Sequence, residues 1–115
     1  MFKGEIKIIN FLENNNIRYI IQHKFNDCIG LKRKLPFDFY LLEQNICIEY
    51  DGGQHFEPVE RYGGEEGFKK RQKLDQIKTD YCKNNNIKLI RIPYWDFKSI
   101  EQILKKELNF GILKI

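Results

Sequence analysis

Hydrophobic and polar positions change period several times along this chain, and each change marks an element. Ile6, Ile8, Ile9, Phe11 and Leu12 recur at helical spacing, which predicts a helix over residues 4–15, stopped by the Asn14-Asn15-Asn16 run. A strand is expected at 17–25. Residues 26–35 read as a basic loop broken by Gly30, with room for a short irregular strand, and Pro36 opens a pair of strands within 36–56 joined by a polar turn. Gly52-Gly53 and an irregular passage through Pro58 and Gly63-Gly64 lead into a long polar helix at 65–84, ended by a second run, Asn84-Asn85-Asn86. A short apolar strand at 87–92 is closed by Pro93, and residues 97–109 form an amphipathic helix with Ile100, Ile103, Leu104 and Leu108 inward. The order α-β-β-β-α-β-α predicts an α/β fold in one domain, 1–115. The two Asn-Asn-Asn-Ile junctions share only a helix-to-strand transition and carry little weight as a duplication.

Period two within 36–56 puts Phe37, Phe39 and Leu41 on one face and Asp38 and Tyr40 on the other. The next strand divides Ile46, Ile48 and Tyr50 from Cys47, Glu49 and Asp51. If the turn leaves Leu41 opposite Ile46, Asp38 stands directly across from Glu49. Like charges so placed destabilise a sheet, so Asp38, Glu49 and Asp51 point to a bound cation or to chemistry.

Other titratable residues fall beside this group. Glu5 shares its helix side with Ile8, Ile9 and Leu12, whereas a first-turn glutamate favoured by the helix dipole is the plain alternative. Asp75 borders the apolar stripe of Leu74, Ile77 and Tyr81, with Lys78 one turn away as an ordinary helix partner. Asp80 projects to solvent. His55 follows Gly52-Gly53 and can be turned back toward the acids, with histidine the natural proton carrier near neutral pH. His23 has no acidic company and reads as a surface residue. Tyr94-Trp95 after the last strand is read as core, with base stacking the alternative.

Charge and cysteine content narrow the class of partner. The 115 residues carry a net charge of +4, a mild excess that suits a polyanion. Lys32-Arg33-Lys34 and Lys69-Lys70-Arg71, ordinarily solvated faces, here flank the acids as a basic rim that would seat a phosphodiester backbone. Cys28, Cys47 and Cys82 are odd in number and form no Cys-x-x-Cys pair, so neither disulfides nor zinc are signalled. No secretion signal or membrane-spanning run is present, which gives a cytosolic or nuclear expectation with no membrane partner.

A helix glutamate, Phe-Asp-Phe on one strand, Ile-Glu-Tyr-Asp-Gly-Gly-Gln-His on the next and a helix aspartate before a closing strand together resemble the PD-(D/E)XK nuclease superfamily. Within it the likeness is to the branch of very-short-patch-repair endonucleases and EDxHD homing endonucleases. The resemblance covers residues 4–92 and implies a restriction-endonuclease-like α-β-β-β-α-β core with a mixed sheet, to which the C-terminal helix is added. By position, Asp38 matches the metal-binding aspartate, Glu5 the helix glutamate and Glu49 the acid of the second motif. His55 and Asp75 match the pair that positions the attacking water. The motif lysine falls at residue 51, which is Asp51 here, so a lysine from elsewhere, with Lys78 the candidate, or His55 would replace it.

The implied activity is metal-dependent cleavage or nicking of DNA. Mg²⁺ or Mn²⁺ would sit on Asp38, Glu49 and Asp51, and Lys32, Arg33, Lys34, Lys69, Lys70 and Arg71 would hold the backbone. The alternative is a nuclease-fold DNA-binding module without turnover, within a larger recombination, mobile-element or phage assembly. A homodimer is also open. Hydrolysis of a small phosphorylated metabolite fits the acids but leaves the basic rim unused.

Overall fold

The computed structural model describes residues 2–109, without the side chain of Gln54; Met1 and residues 110–115 of the expected 1–115 domain lie outside the described residues. Helix α1 (Lys3–Asn14) turns Ile8, Phe11 and Leu12 inward and leaves Ile6 exposed. At its end Asn16 takes a left-handed φ of 56°, and the Ile17 N–H reaches back to the Leu12 carbonyl at 2.9 Å. Helix α2 (Gly64–Asn84) closes in the same way, with Asn86 at φ 57° and the Ile87 N–H on the Cys82 carbonyl at 2.8 Å. The repeated Asn-Asn-Asn-Ile is thus a repeated Schellman closure. Asparagine tolerates the left-handed position, and the isoleucine that follows is buried as the chain turns toward a strand.

Strands β1 (Tyr19–Gly30), β2 (Arg33–Leu41), β3 (Ile46–Asp51) and β4 (Lys88–Pro93) form one four-stranded sheet in the order β1-β2-β3-β4. The first two pairings are antiparallel and β3–β4 is parallel, with α2 in the crossover that a parallel pair requires. The chain is therefore a mixed α/β fold. On one sheet face Ile8, Leu12, Phe39, Ile48, Ile92 and Leu104 join α1 to helix α3 (Ile100–Glu107). On the other, Cys28, Leu35, Phe37, Cys47 and Cys82 form a second core under α2. A 3-10 stretch, Tyr94–Ser99, takes up the start of the helix expected at 97–109.

Three local expectations are corrected. Residues 26–35 are a hairpin, not a loop: β1 continues to Gly30, and Leu31, at φ 58°, turns the chain into β2. The register shifts between Lys24 and Ile29, which hides the strand from a period-two reading. Gly30 is needed for close approach, since a Cβ there would stand 2.6 Å from the Leu74 side chain and 2.8 Å from that of Leu35. Phe37 does not share a core with Phe39, because alternation slips at Asp38 and sends Phe37 to the α2 side with Leu35. His23 is half-buried, its ring stacked on Tyr40 at 4.8 Å and edge-on to Phe25 at 4.6 Å.

Candidate active site

The ladder between β2 and β3 pairs Leu41 with Ile46, Tyr40 with Cys47 and Phe39 with Ile48. One step further it opens, and side chains replace backbone partners. The Asp38 N–H donates to Glu49 Oε2 at 2.6 Å, and the Tyr50 N–H donates to Asp38 Oδ2 at 2.8 Å. Both carboxylates are thereby fixed in the gap between the strands, each by a main-chain donor of the other's strand. On the far side of β2, Gln22 at φ 51° lends its side-chain amide to Asp38 Oδ1 at 3.3 Å. Burial and the Glu49 charge push the Asp38 carboxyl up to about 7, against the opposing pull of the Tyr50 N–H.

Lys78 reaches this gap from α2, its ammonium 2.6 Å from Glu49 Oε1 and 5.1 Å from the centre of the Phe37 ring. The slip at Asp38 therefore also supplies the aromatic face beside the lysine. Glu5 sits in the first turn of α1 and accepts the Phe2 N–H at 3.1 Å. Its charge is near enough to add to the rise at Asp38. That turn lies against β3 because residue 4 is glycine: a Cβ at Gly4 would stand 2.1 Å from Tyr50 Cζ, well within van der Waals contact.

A second group adjoins the first. In the parallel register Glu49 faces Arg91 and Asp51 faces Pro93. Asp51 is buried, with both carboxylate oxygens accepting from Arg91 Nη1 at 3.3 Å and Oδ1 also 3.8 Å from His55 Nδ1. His55 comes round on the 3-10 turn Gly53–His55 and bonds through Nδ1 to Asp75 Oδ2 at 2.7 Å. Where Nδ1 donates this bond to the carboxylate, Nε2 is the ring nitrogen without a partner among the described residues. The Asp75 hydrogen bond is the main cause of a raised His55 pKa, which burial partly opposes. Burial raises the Asp51 carboxyl, while Arg91 and His55 act against that rise. Neither Gly52 nor Gly53 has a positive φ, so the turn does not depend on glycine's conformational freedom.

All six expected catalytic positions thus lie in two adjoining groups: Asp38, Glu49, Lys78 and Glu5, then His55 and Asp75 with Asp51. Asp51 was expected beside Asp38 and Glu49 as a ligand, but its nearest charged partners are Arg91 and His55. Among the described residues no three His, Cys, Asp or Glu side chains form a ready-made metal cage. Sequence reading missed Arg91, which was passed over inside an apolar strand. Its place between Ile90 and Ile92, both in the opposite core, was the available signal. Nothing local marked Gln22.

The basic runs are only partly gathered. Lys32, Arg33 and Lys70 line one cleft between the β1–β2 turn and α2, with Leu31 and Leu74. Lys34 donates to Asn26 Oδ1 at 3.0 Å, and Lys69 is exposed. Arg71 turns to Tyr62, donating to its carbonyl at 2.6 Å. Tyr94 and Trp95, expected in the core, are exposed at 47% and 60%. Both follow Pro93, where the chain leaves the sheet edge.

Two relatives have similar sequences. Uncharacterized protein 094L of Frog virus 3 (isolate Goorha) is 38% identical over 78 residues, 66% of this chain and 50% of that protein. Uncharacterized protein 307L of Invertebrate iridescent virus 6 is 33% identical over 61 residues, 52% of this chain and 31% of that protein. The chain thus matches half or less of the length of either relative. No family model and no solved structure matches it. Among the described residues no helix is long and apolar enough to cross a membrane.

Proposed function

We propose that this chain is a metal-dependent DNA endonuclease domain with the restriction-endonuclease-like core. One observation carries the reading: Asp38 and Glu49 face each other across the opened β2–β3 ladder, with Lys78 on Glu49. A sheet that places two carboxylates together and withdraws backbone partners to orient them is arranged for a cation. The donors fit Mg²⁺ or Mn²⁺: they are carboxylate oxygens, few in number, and these ions take one or two carboxylates and complete their shell with water and phosphate. Asp38 and Glu49 would hold the ion. When bound it would polarise the scissile phosphate and lower the pKa of a coordinated water.

The remaining roles belong to the chain itself. The Lys78 ammonium, fixed at 2.6 Å from Glu49, neutralises the buried acid and offers its other protons to charge gathering on phosphate. It does from α2 what the motif lysine would do from position 51. His55 is held by Asp75 through Nδ1, with no partner on Nε2 among the described residues, the arrangement needed to take up or hand on a proton of the attacking water. Arg91 balances Asp51 and donates to the Asp75 carbonyl at 3.1 Å, so it positions the acids around His55. The cleft with Lys32, Arg33 and Lys70 is suited to a DNA backbone.

Supercoiled plasmid incubated with Mg²⁺ or Mn²⁺ tests the reading. Nicking that EDTA and Asp38→Asn both abolish is the expected result, and full activity of the Asn variant would refute it. A DNA-binding module without turnover is favoured by one feature, the engagement of Asp51 with Arg91. Plasmid binding without metal-dependent cutting would select it.

A further inference from the structure

At the carboxyl ends of the parallel strands β3 and β4 lies a cleft of about 550 Å³ that the proposed chemistry does not use. Tyr50, Gly52, Gly53, Phe2, Tyr62 and Tyr94 are among the residues that line it. Tyr94 continues it into an exposed group of rings: Phe56 and Trp95 lie 4.5 Å apart, and Tyr94 and Trp95 5.3 Å. The planes cross at 51° and 73°, so none of these rings closes another by parallel stacking. Phe56 is 42% exposed beside the more open Tyr94 and Trp95, and rings left to water together mark a binding surface.

Three features say what the surface takes. Among the described residues its lining is aromatic, glycine and Lys3, with no aliphatic side chain. Ring faces beside cations are the surface that single-stranded nucleic acid uses, because every base has a π-face, whereas protein-docking grooves draw on aliphatic side chains as well. The rings also sit beside the acids. Phe56 follows His55, Tyr94 follows the Pro93 that pairs with Asp51, and Gly4 packs on Tyr50 immediately before Glu5. Lastly, Arg71 lies 5.6 Å over the Tyr62 ring, which places a second cation at the rim.

We propose that this aromatic surface binds unpaired nucleobases, so that the DNA taken at the acid centre is single-stranded next to the reacting phosphate. The inference rests on the nuclease reading and names its substrate class. Blunt duplex would reach the basic cleft but leave the rings empty.

Trp95 is the chain's single tryptophan and reports on the surface directly. Its fluorescence, titrated in EDTA with a short oligothymidylate and separately with a blunt duplex, requires no turnover. A failure here is therefore separate from a failure of the plasmid assay. The expected result is quenching by the single strand, absent with the duplex, and about ten-fold weaker single-strand binding by Phe56→Ala and Tyr94→Ala. Anisotropy of a labelled oligothymidylate supplies the affinity of Trp95→Ala, expected to fall comparably. Equal quenching by duplex, binding without quenching, or no binding would each overturn the proposal. So would a concentration-dependent emission shift with a doubled mass, which would show a second copy covering the rings.

Discussion

Asp38 donates its own N–H to the Glu49 carboxylate at 2.6 Å while its side chain accepts from the residue after Glu49, Tyr50, at 2.8 Å. The two acids hold each other's strand and so cannot separate to relieve their repulsion. Burial first, and the Glu49 charge second, keep the proton on Asp38 up to about 7, against the pull of the Tyr50 N–H.

Asp38→Asn is expected to separate activity from stability. It removes one member of a like-charged pair and retains an oxygen for the Tyr50 N–H. Above pH 7 and without metal it should raise stability by about 1–2 kcal/mol, a few degrees in melting temperature, while metal-dependent nicking falls below detection. Thermal melts in EDTA and the plasmid assay, run on one preparation, check both halves.

The pH dependence has a definite sign. The folded Asp38 carboxyl stands at about 7, above the roughly 3.9 of an unfolded aspartate, so the native chain binds the extra proton between these values. Stability of the metal-free chain should fall as pH rises through that window and level off above it. His55 acts in the same direction, since its raised pKa gives stability that is present below about 6.5 and lost through the folded value. Stabilisation by Mg²⁺ should grow over the range in which Asp38 loses its proton. Melts across this range, with and without Mg²⁺, would contradict the assignment if the metal effect were flat.

Lys78→Met should be costly both to the fold and to activity. The Glu49 side chain is only 3% exposed and would lose its counter-charge, at about 3–5 kcal/mol for a broken buried pair. Glu49→Gln combined with Lys78→Met should recover much of that stability without recovering nicking. Urea unfolding of the two single variants and the double variant measures the coupling, and additive costs would show that the pair is not a unit.

Asp75→Asn should move the His55 titration. The hydrogen bond to Asp75 is the chief cause of the raised value, so the variant should lower it, and the acid limb of any pH–rate profile should follow. With two histidines in the chain, NMR titration resolves the shift directly, and His23 serves as the internal control. An unmoved His55 would contradict the bond.

Gly4→Ala tests the seating of α1. The new methyl would clash with the Tyr50 ring at 2.1 Å from Cζ, forcing the first turn and Glu5 outward at about 1–3 kcal/mol. Adding Tyr50→Ala opens the space, and partial recovery of the melting temperature is expected. Equal melting temperatures for Gly4→Ala and the parent would show that the turn does not depend on this contact.

The sequence alone determined whatever depends on local period and chain order. Apolar spacing marks α1 and α2, the two Asn-Asn-Asn-Ile junctions end helices, and a turn that sets Leu41 opposite Ile46 puts Asp38 across from Glu49. The acid pair was legible because antiparallel register is fixed by the turn a few residues away. Tertiary structure decided the rest. Lys78 meets Glu49 across 29 positions and Arg91 meets Asp51 across 40, contacts set by how α2 and β4 lie on the sheet. The slip at Asp38 needed β1 as well as β3, because Gln22 and Tyr50 flank the aspartate from opposite strands. Exposure of Tyr94 and Trp95 was likewise out of reach: their apolar character reads as core, whereas among the described residues both stand exposed where the chain leaves β4 at Pro93.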